Sequence, residues 1–268
     1  MTTSRLPTYF ISHGGGPWPW MKEQMGGAYD HLEASLARMP ADIGATPRAV
    51  LMLSAHWEAP RFTVQTHARP PMLYDYGGFP EFTYHIQYPA PGAPDVAARV
   101  RQLLAAAGIE SDEDALRGFD HGMFAPMAVI WPRADVPTLQ LSLKKGLAPD
   151  EHLALGRALA PLRDQGILIV GSGLSYHNLR AFGPAAHAPS AAFDAWLQDT
   201  LAIADAATRA RTLAAWERAP AARLAHPREE HLLPLMVALG AAEHDTATRV
   251  YHERDFFGGI TVSSWRLG

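Results

Sequence analysis

Residues 167–178 read Ile-Leu-Ile-Val-Gly-Ser-Gly-Leu-Ser-Tyr-His-Asn: four consecutive apolar residues, a Gly-Ser-Gly turn, and then His177. A short apolar run bounded by glycine is the pattern of a strand buried on both faces. Two further runs follow the same plan. Thr8–Ser12 leads straight into His13 and Gly14–Gly16, and Ala49–Ser54 leads to His56. Phe62–Thr66 alternates as an edge strand would, and Thr138–Leu143 alternates too. Arg249–His252 and Gly259–Ser264 form a closing strand pair around a Gly-Gly turn.

Helical patterns lie between these strands. Asp95–Ala107 places Val96, Val100, Leu103, Leu104 and Ala107 on one face, with Gly108 as its stop. Asp150 caps a helix carrying Leu153, Leu155, Leu159 and Leu162 that ends near Gly166. Ala191–Leu201 and Glu229–Leu239 read as two more, the latter closed by Gly240. Strands alternating with helices predict an α/β sheet with crossover helices. The Pro/Gly-rich Pro89–Pro94 is a loop within that unit rather than a linker.

Composition narrows the function classes. The 268 residues are 48% hydrophobic, enough for a sizeable core. Lys and Arg total 23 against 27 Asp and Glu, a net charge of −4 that offers no electrostatic footprint for nucleic acid or an anionic membrane. With no Cys, disulfides, thiolate zinc sites, iron–sulfur clusters and cysteine nucleophiles are excluded. Met1–Pro7 shows no leader pattern, and every apolar run is interrupted well short of the ~20 residues a membrane span requires. The expectation is a cytoplasmic protein.

The 13 histidines are the compositional oddity. His13, His56 and His177 each follow a strand, and in an open α/β sheet ligands bind beyond the carboxyl ends of the strands. If the strands are parallel neighbours, the three imidazoles converge on one crevice, which suits Zn or Fe rather than Mg or Ca. Gly14–Gly16, Gly171 and Gly173 would let a ligand approach the main chain, or simply turn the chain after a strand. His121, in Phe119-Asp120-His121-Gly122, has an acid beside it that can fix its tautomer. His231, in Glu229-Glu230-His231, falls in the first turn of a helix, where acidic residues also complement the helix dipole. His31, His67, His85, His152, His187, His226, His244 and His252 read as surface or outer positions. Ser172 is not the nucleophile of a G-x-S-x-G elbow, because Val170 stands where the pattern requires Gly.

Taken together, Ser12-His13-Gly-Gly-Gly-Pro, Ser54-Ala55-His56-Trp57-Glu58, Tyr88-Pro-Ala-Pro-Gly92, Asp120-His121-Gly122, Gly171-Ser-Gly-Leu-Ser-Tyr-His177-Asn-Leu and His226-Pro-Arg-Glu-Glu-His231-Leu-Leu-Pro resemble the class III extradiol ring-cleavage dioxygenases, in the DOPA 4,5-dioxygenase branch. The match runs in order from His13 to about Ala242. The resemblance implies a single α/β domain over residues 1–268, with a mixed, mostly parallel central sheet flanked by helices and the active site at the C-terminal ends of the strands. It further implies a non-haem Fe(II) ion, a catechol substrate of DOPA-like or other substituted kind, and O2. His13 and His56 match the metal histidines, His177 the acid/base, and His121 a second histidine near the substrate. Better-known members complete the metal site with a Glu. Here Glu229, Glu230 and His231 occupy the matching region, and His231 is favoured. An all-histidine site would also take Zn(II), which lies above Fe(II) in affinity and has no redox chemistry for O2.

Trp18, Trp20, Tyr76 and Phe79 lie near the motifs as walls for the ring, or as ordinary core aromatics. Arg61, Lys144 and Arg180 are candidates for a substrate carboxylate, with surface solvation as the ordinary reading. Two other classes fit the same histidines: a zinc hydrolase using a bound water, and a non-catalytic protein retaining the pocket.

Overall fold

The computed structural model describes residues 5–268; Met1–Ser4, part of the stretch read for a leader, lie outside the described residues. Its strands are β1 (Thr8–Ser12), β2 (Ala49–Ala59), β3 (Phe62–Gln65), β4 (Ser111–Asp114), β5 (Thr138–Lys144), β6 (Ile167–Gly173), β7 (Ala247–Phe256) and β8 (Ile260–Leu267). The helices are α1 (Asp30–Ile43), α2 (Pro94–Ala106), α3 (His121–Ile130), α4 (Pro149–Leu159), α5 (His187–Leu201), α6 (Ala206–Ala214), α7 (Ala222–Ala225) and α8 (Leu233–Ala241).

All eight strands form one sheet in the order β4-β3-β5-β2-β6-β1-β8-β7. The centre is parallel, with β5, β2, β6 and β1 running together, while β8 and β7 close one side antiparallel. The expected mixed, mostly parallel sheet flanked by helices is what forms. The apolar runs are continuous because both faces are covered. Val50, Met52, Leu168 and Val170 join one hydrophobic cluster, and Leu51, Leu53, Ile167 and Ile169 the other.

Several expectations are corrected. Phe62–Gln65 is not the edge strand, since β4 pairs outside it. β4 is Ser-Asp-Glu-Asp, a charged edge that blunts further pairing and carries no apolar signal. Helix α4 has no side-chain cap, so Asp150 does not cap it; the chain continues as a 3-10 segment, Ala160–Gln165, to Gly166. Helix α8 starts at Leu233, so His231 precedes it, and Gly240 lies inside it. A Cβ on Gly240 would strike the Leu153 carbonyl, so this glycine permits close contact with α4 rather than ending a helix. His152 and His226 are fully buried, not surface residues. No helix among the described residues is long and apolar enough to cross a membrane.

Candidate active site

Because β2, β6 and β1 are adjacent and parallel, their C-terminal ends open on one rim of the sheet. His13 directly follows β1, and His177 follows β6 by four residues. His56 lies within β2 rather than beyond it, where the pairing with β5 shifts register between Leu53 and Glu58. His121 opens α3, and His231 sits in the turn before α8. The 231–234 segment reaches the rim because Gly171 and Gly173 have no side chains. A Cβ on Gly171 would meet the Pro234 carbonyl, and one on Gly173 the His231 carbonyl. These two glycines therefore admit the protein's own main chain, not a ligand.

All five histidines line one cavity of about 250 Å³. Ligating atoms of His13, His56 and His121 lie within 4.8 Å of one another, as do those of His177, Glu230 and His231. The His231 ring is 5.3 Å from His13 and 4.9 Å from His56, centroid to centroid. His56 and His121 are 4.0 Å apart on the same measure.

His13, His121, His177 and His231 are anchored through Nδ1, and His56 Nδ1 lies near a carboxylate. The Ser172 hydroxyl donates its only proton to the Gly122 carbonyl, so its oxygen accepts from His13 Nδ1–H at 3.0 Å. Asp75 Oδ1 accepts from His121 Nδ1–H at 2.8 Å and from the His121 backbone N–H, while Oδ2 lies 3.5 Å from His56 Nδ1. Glu230 Oε1 faces the Nδ1 atoms of both His231 (2.9 Å) and His177 (3.1 Å). The acid beside His121 in sequence is not its anchor: Asp120 is buried and instead accepts from Ser54, Gln140 and Arg117. Asp75 and the anchoring role of Glu230 were not readable from spacing, as Asp75 is distant in sequence from His121 and His56.

The electrostatics keep His13, His56 and His231 neutral. Burial, then the neighbouring imidazoles, push His13 and His231 well below the usual imidazole range, and burial lowers His56 to about 4. Burial alone would raise Asp75 and Glu230. Hydrogen bonds and charge from His121, and from His177 and Arg228, outweigh it and hold both carboxyls below their ordinary values.

The Nε2 atoms of His13 and His56 face each other at 3.1 Å, and the Ser172 anchor leaves a lone pair on His13 Nε2. Neutral rings at that distance either share one Nε2–H or turn both lone pairs to a cation between them, and ligands about 2.0–2.1 Å from one Zn-sized ion would span such a gap. Neutral imidazoles with outer partners at Nδ1 are the donor set of a transition-metal site, and the residues fit one.

Among the other candidates, Glu229 pairs with Arg223 at 2.6 Å. Glu230 Oε2 faces Arg228, which is held in turn by Glu58. Trp18, Trp20, Tyr76 and Phe79 do not line the cavity. Trp18 is buried and donates to the His13 carbonyl, and Tyr76 packs beside His121. The aromatic wall is instead Tyr29, Phe182, Phe256 and Phe257. Arg61 and Lys144 line a separate cavity beside β3 and α4, paired with Glu110, Asp112 and Glu151.

Residues 7–266 match the family described as the catalytic LigB subunit of aromatic ring-opening dioxygenase. The chain belongs to that family of class III extradiol dioxygenases and is an aromatic ring-opening enzyme, in a family whose members depend on a metal. It is 38% identical over 94% of its length to the 4,5-DOPA dioxygenase extradiol of Beta vulgaris, covering 92% of that protein. It is 35% identical to the dioxygenase tasH of Hapsidospora irregularis, covering 98% of this chain and 85% of that protein. A crystal structure of an uncharacterized protein, JW3007, from Escherichia coli K12 superposes with a TM-score of 0.79 at 27% identity, over 98% of this chain and 100% of that one.

Proposed function

We propose that the enzyme cleaves a catechol ring in extradiol fashion, breaking the C–C bond beside the two hydroxylated carbons and inserting both atoms of O2. The observation that carries the reading is the pair of facing Nε2 atoms on His13 and His56, 3.1 Å apart in the lining of an aromatic-walled cavity. His13, His56 and His231 hold the metal, Fe(II) for turnover, with Zn(II) able to take the same donors. Glu230 and Glu229 are the weaker candidates for third ligand, because Glu230 Oε1 already accepts from two imidazoles and Glu229 is turned to Arg223. The bound ion supplies the redox partner for O2 and acidifies the catechol hydroxyls.

The remaining chemistry belongs to the chain. Glu230 orients His177 through Nδ1, leaving Nε2 to take a phenolic proton and return it on ring opening. Asp75 holds His121 in the same sense, so that its Nε2 lone pair can accept a hydrogen bond from a catechol hydroxyl. Tyr29, Phe256 and Phe257 offer faces and edges to an aromatic ring and exclude water from it.

The test is anaerobic reconstitution with Fe(II), addition of a catechol, then admission of O2. A yellow ring-opened product with one O2 consumed per catechol is expected. Ester or amide turnover by the zinc form without O2 would indicate the hydrolase instead, and binding without turnover a non-catalytic relative.

A further inference from the structure

We infer that the site selects catechols whose ring substituent is uncharged and apolar, an alkyl or aryl group, over those carrying a carboxylate or amino-acid side chain. The inference rests on the catechol reading above and concerns the part of the substrate that points away from the histidines.

Beside the histidines, the cavity is lined by one connected cluster of aromatic rings. Phe256 and Phe257 pack at 4.8 Å, Tyr29 meets them at 5.6 and 5.3 Å, and Phe182 meets Phe257 at 5.8 Å. Gly259 lies so close to the Gly183 carbonyl that a Cβ there would be 2.7 Å from it, so the loops carrying Phe182 and Phe257 are packed together. The wall continues outward. Phe182 and Phe257 are each 37% exposed and Leu179 is 71% exposed, although all three line the cavity. Contiguous apolar surface at a cavity mouth marks a ligand path.

Charge is missing from the same surface. Among the described residues, no Lys, Arg, Asp or Glu lines this cavity. Arg228 is held by both oxygens of Glu58, and Arg61 and Lys144 belong to the other cavity. Arg180 shares a loop with Leu179 but does not line the site. A carboxylate or ammonium laid along this wall finds no counter-charge and must keep its water. A methylene there gains about fourfold in affinity for each one buried.

The test is calorimetric titration of the Fe(II)-loaded protein, kept free of O2, with 4-methyl-, 4-ethyl- and 4-propylcatechol and with 3,4-dihydroxyphenylpropionate. Affinity is expected to rise about fifteenfold from the methyl to the propyl compound, with the propionate weaker than the propyl compound. L179R, at an exposed position that folding does not depend on, should narrow or reverse that preference. A propionate that binds the wild type as tightly as 4-propylcatechol, or a preference unmoved by L179R, would overturn the inference. Oxygen uptake with unsubstituted catechol is scored separately. Its failure would remove the ring-cleavage reading and leave the order of binding to be judged by calorimetry.

Discussion

The imidazoles of His177 and His231 lie stacked, with ring centroids 3.4 Å apart and planes inclined by only 18°. The Glu230 carboxylate sits against both, through the same oxygen. One side chain therefore sets the orientation of the proposed acid/base and of the proposed third metal ligand. E230A should weaken metal binding by about 10- to 100-fold, the usual effect of losing a ligand's outer partner. Chelator competition measures this, and E229A is the control: it removes a partner of Arg223 and should leave metal affinity unchanged.

The ligand and proton-transfer roles separate by metal content. H13A and H56A should each lose the metal on dialysis, as read by elemental analysis. H177A should keep it and lose about 10²- to 10⁴-fold in turnover. Full occupancy in H13A would contradict the ligand assignment.

Asp75 braces His121 and stands beside His56. D75A should lower kcat by about 10- to 100-fold, because the His121 ring loses the acceptor that fixes its tautomer and direction. Its melting temperature should change little by comparison, and a variant with full kcat would show that His121 needs no brace.

Gly173 is pressed against the His231 carbonyl, so G173A should damage stability and the site together. Overpacking of this kind costs about 1–3 kcal/mol. Denaturant unfolding and metal affinity should fall in the same variant, whereas loss of stability with unaltered metal affinity would mean that His231 is not held from β6.

Away from the site, His152 predicts a pH dependence of folding. It is buried beside Phe62, donates from Nδ1 to the Ala148 carbonyl and accepts the Lys144 N–H at Nε2. Burial lowers it to about 4, so between that value and the unfolded value near 6.5 the unfolded chain binds the extra proton. Stability from this residue is complete above pH 6.5 and is lost as the pH falls towards 4, with a limiting slope of about 1.4 kcal/mol per pH unit. Urea unfolding from pH 7 to 5 should show the slope, and H152Q should flatten it by about one proton.

The central strands were legible because β1, β2 and β6 are buried on both faces and so read as unbroken apolar runs. β4 was not, since its four residues are polar. Helix α1 went unread because it has no side-chain cap and carries Pro40, and α3 because it is buried nearly all round and contains Pro126. At the site, linear context placed the histidines near strand ends but could not find their anchors. Asp75 and Glu230 act through contacts that only folding creates. Trp18, Trp20, Tyr76 and Phe79 lie near the motifs in sequence yet do not line the cavity, whose aromatic wall is drawn mainly from residues 182, 256 and 257.

The place of β6 between β2 and β1 also orders events during biosynthesis. His13 and His56 leave the ribosome early, yet the strand that joins their supports is completed only at Gly173, and the 226–231 turn emerges later still. A nascent chain can thus expose two imidazoles without a frame to hold them. Metal delivery must wait until most of the polypeptide has been translated, and a truncated product ending before β6 would be unable to assemble the proposed centre at all.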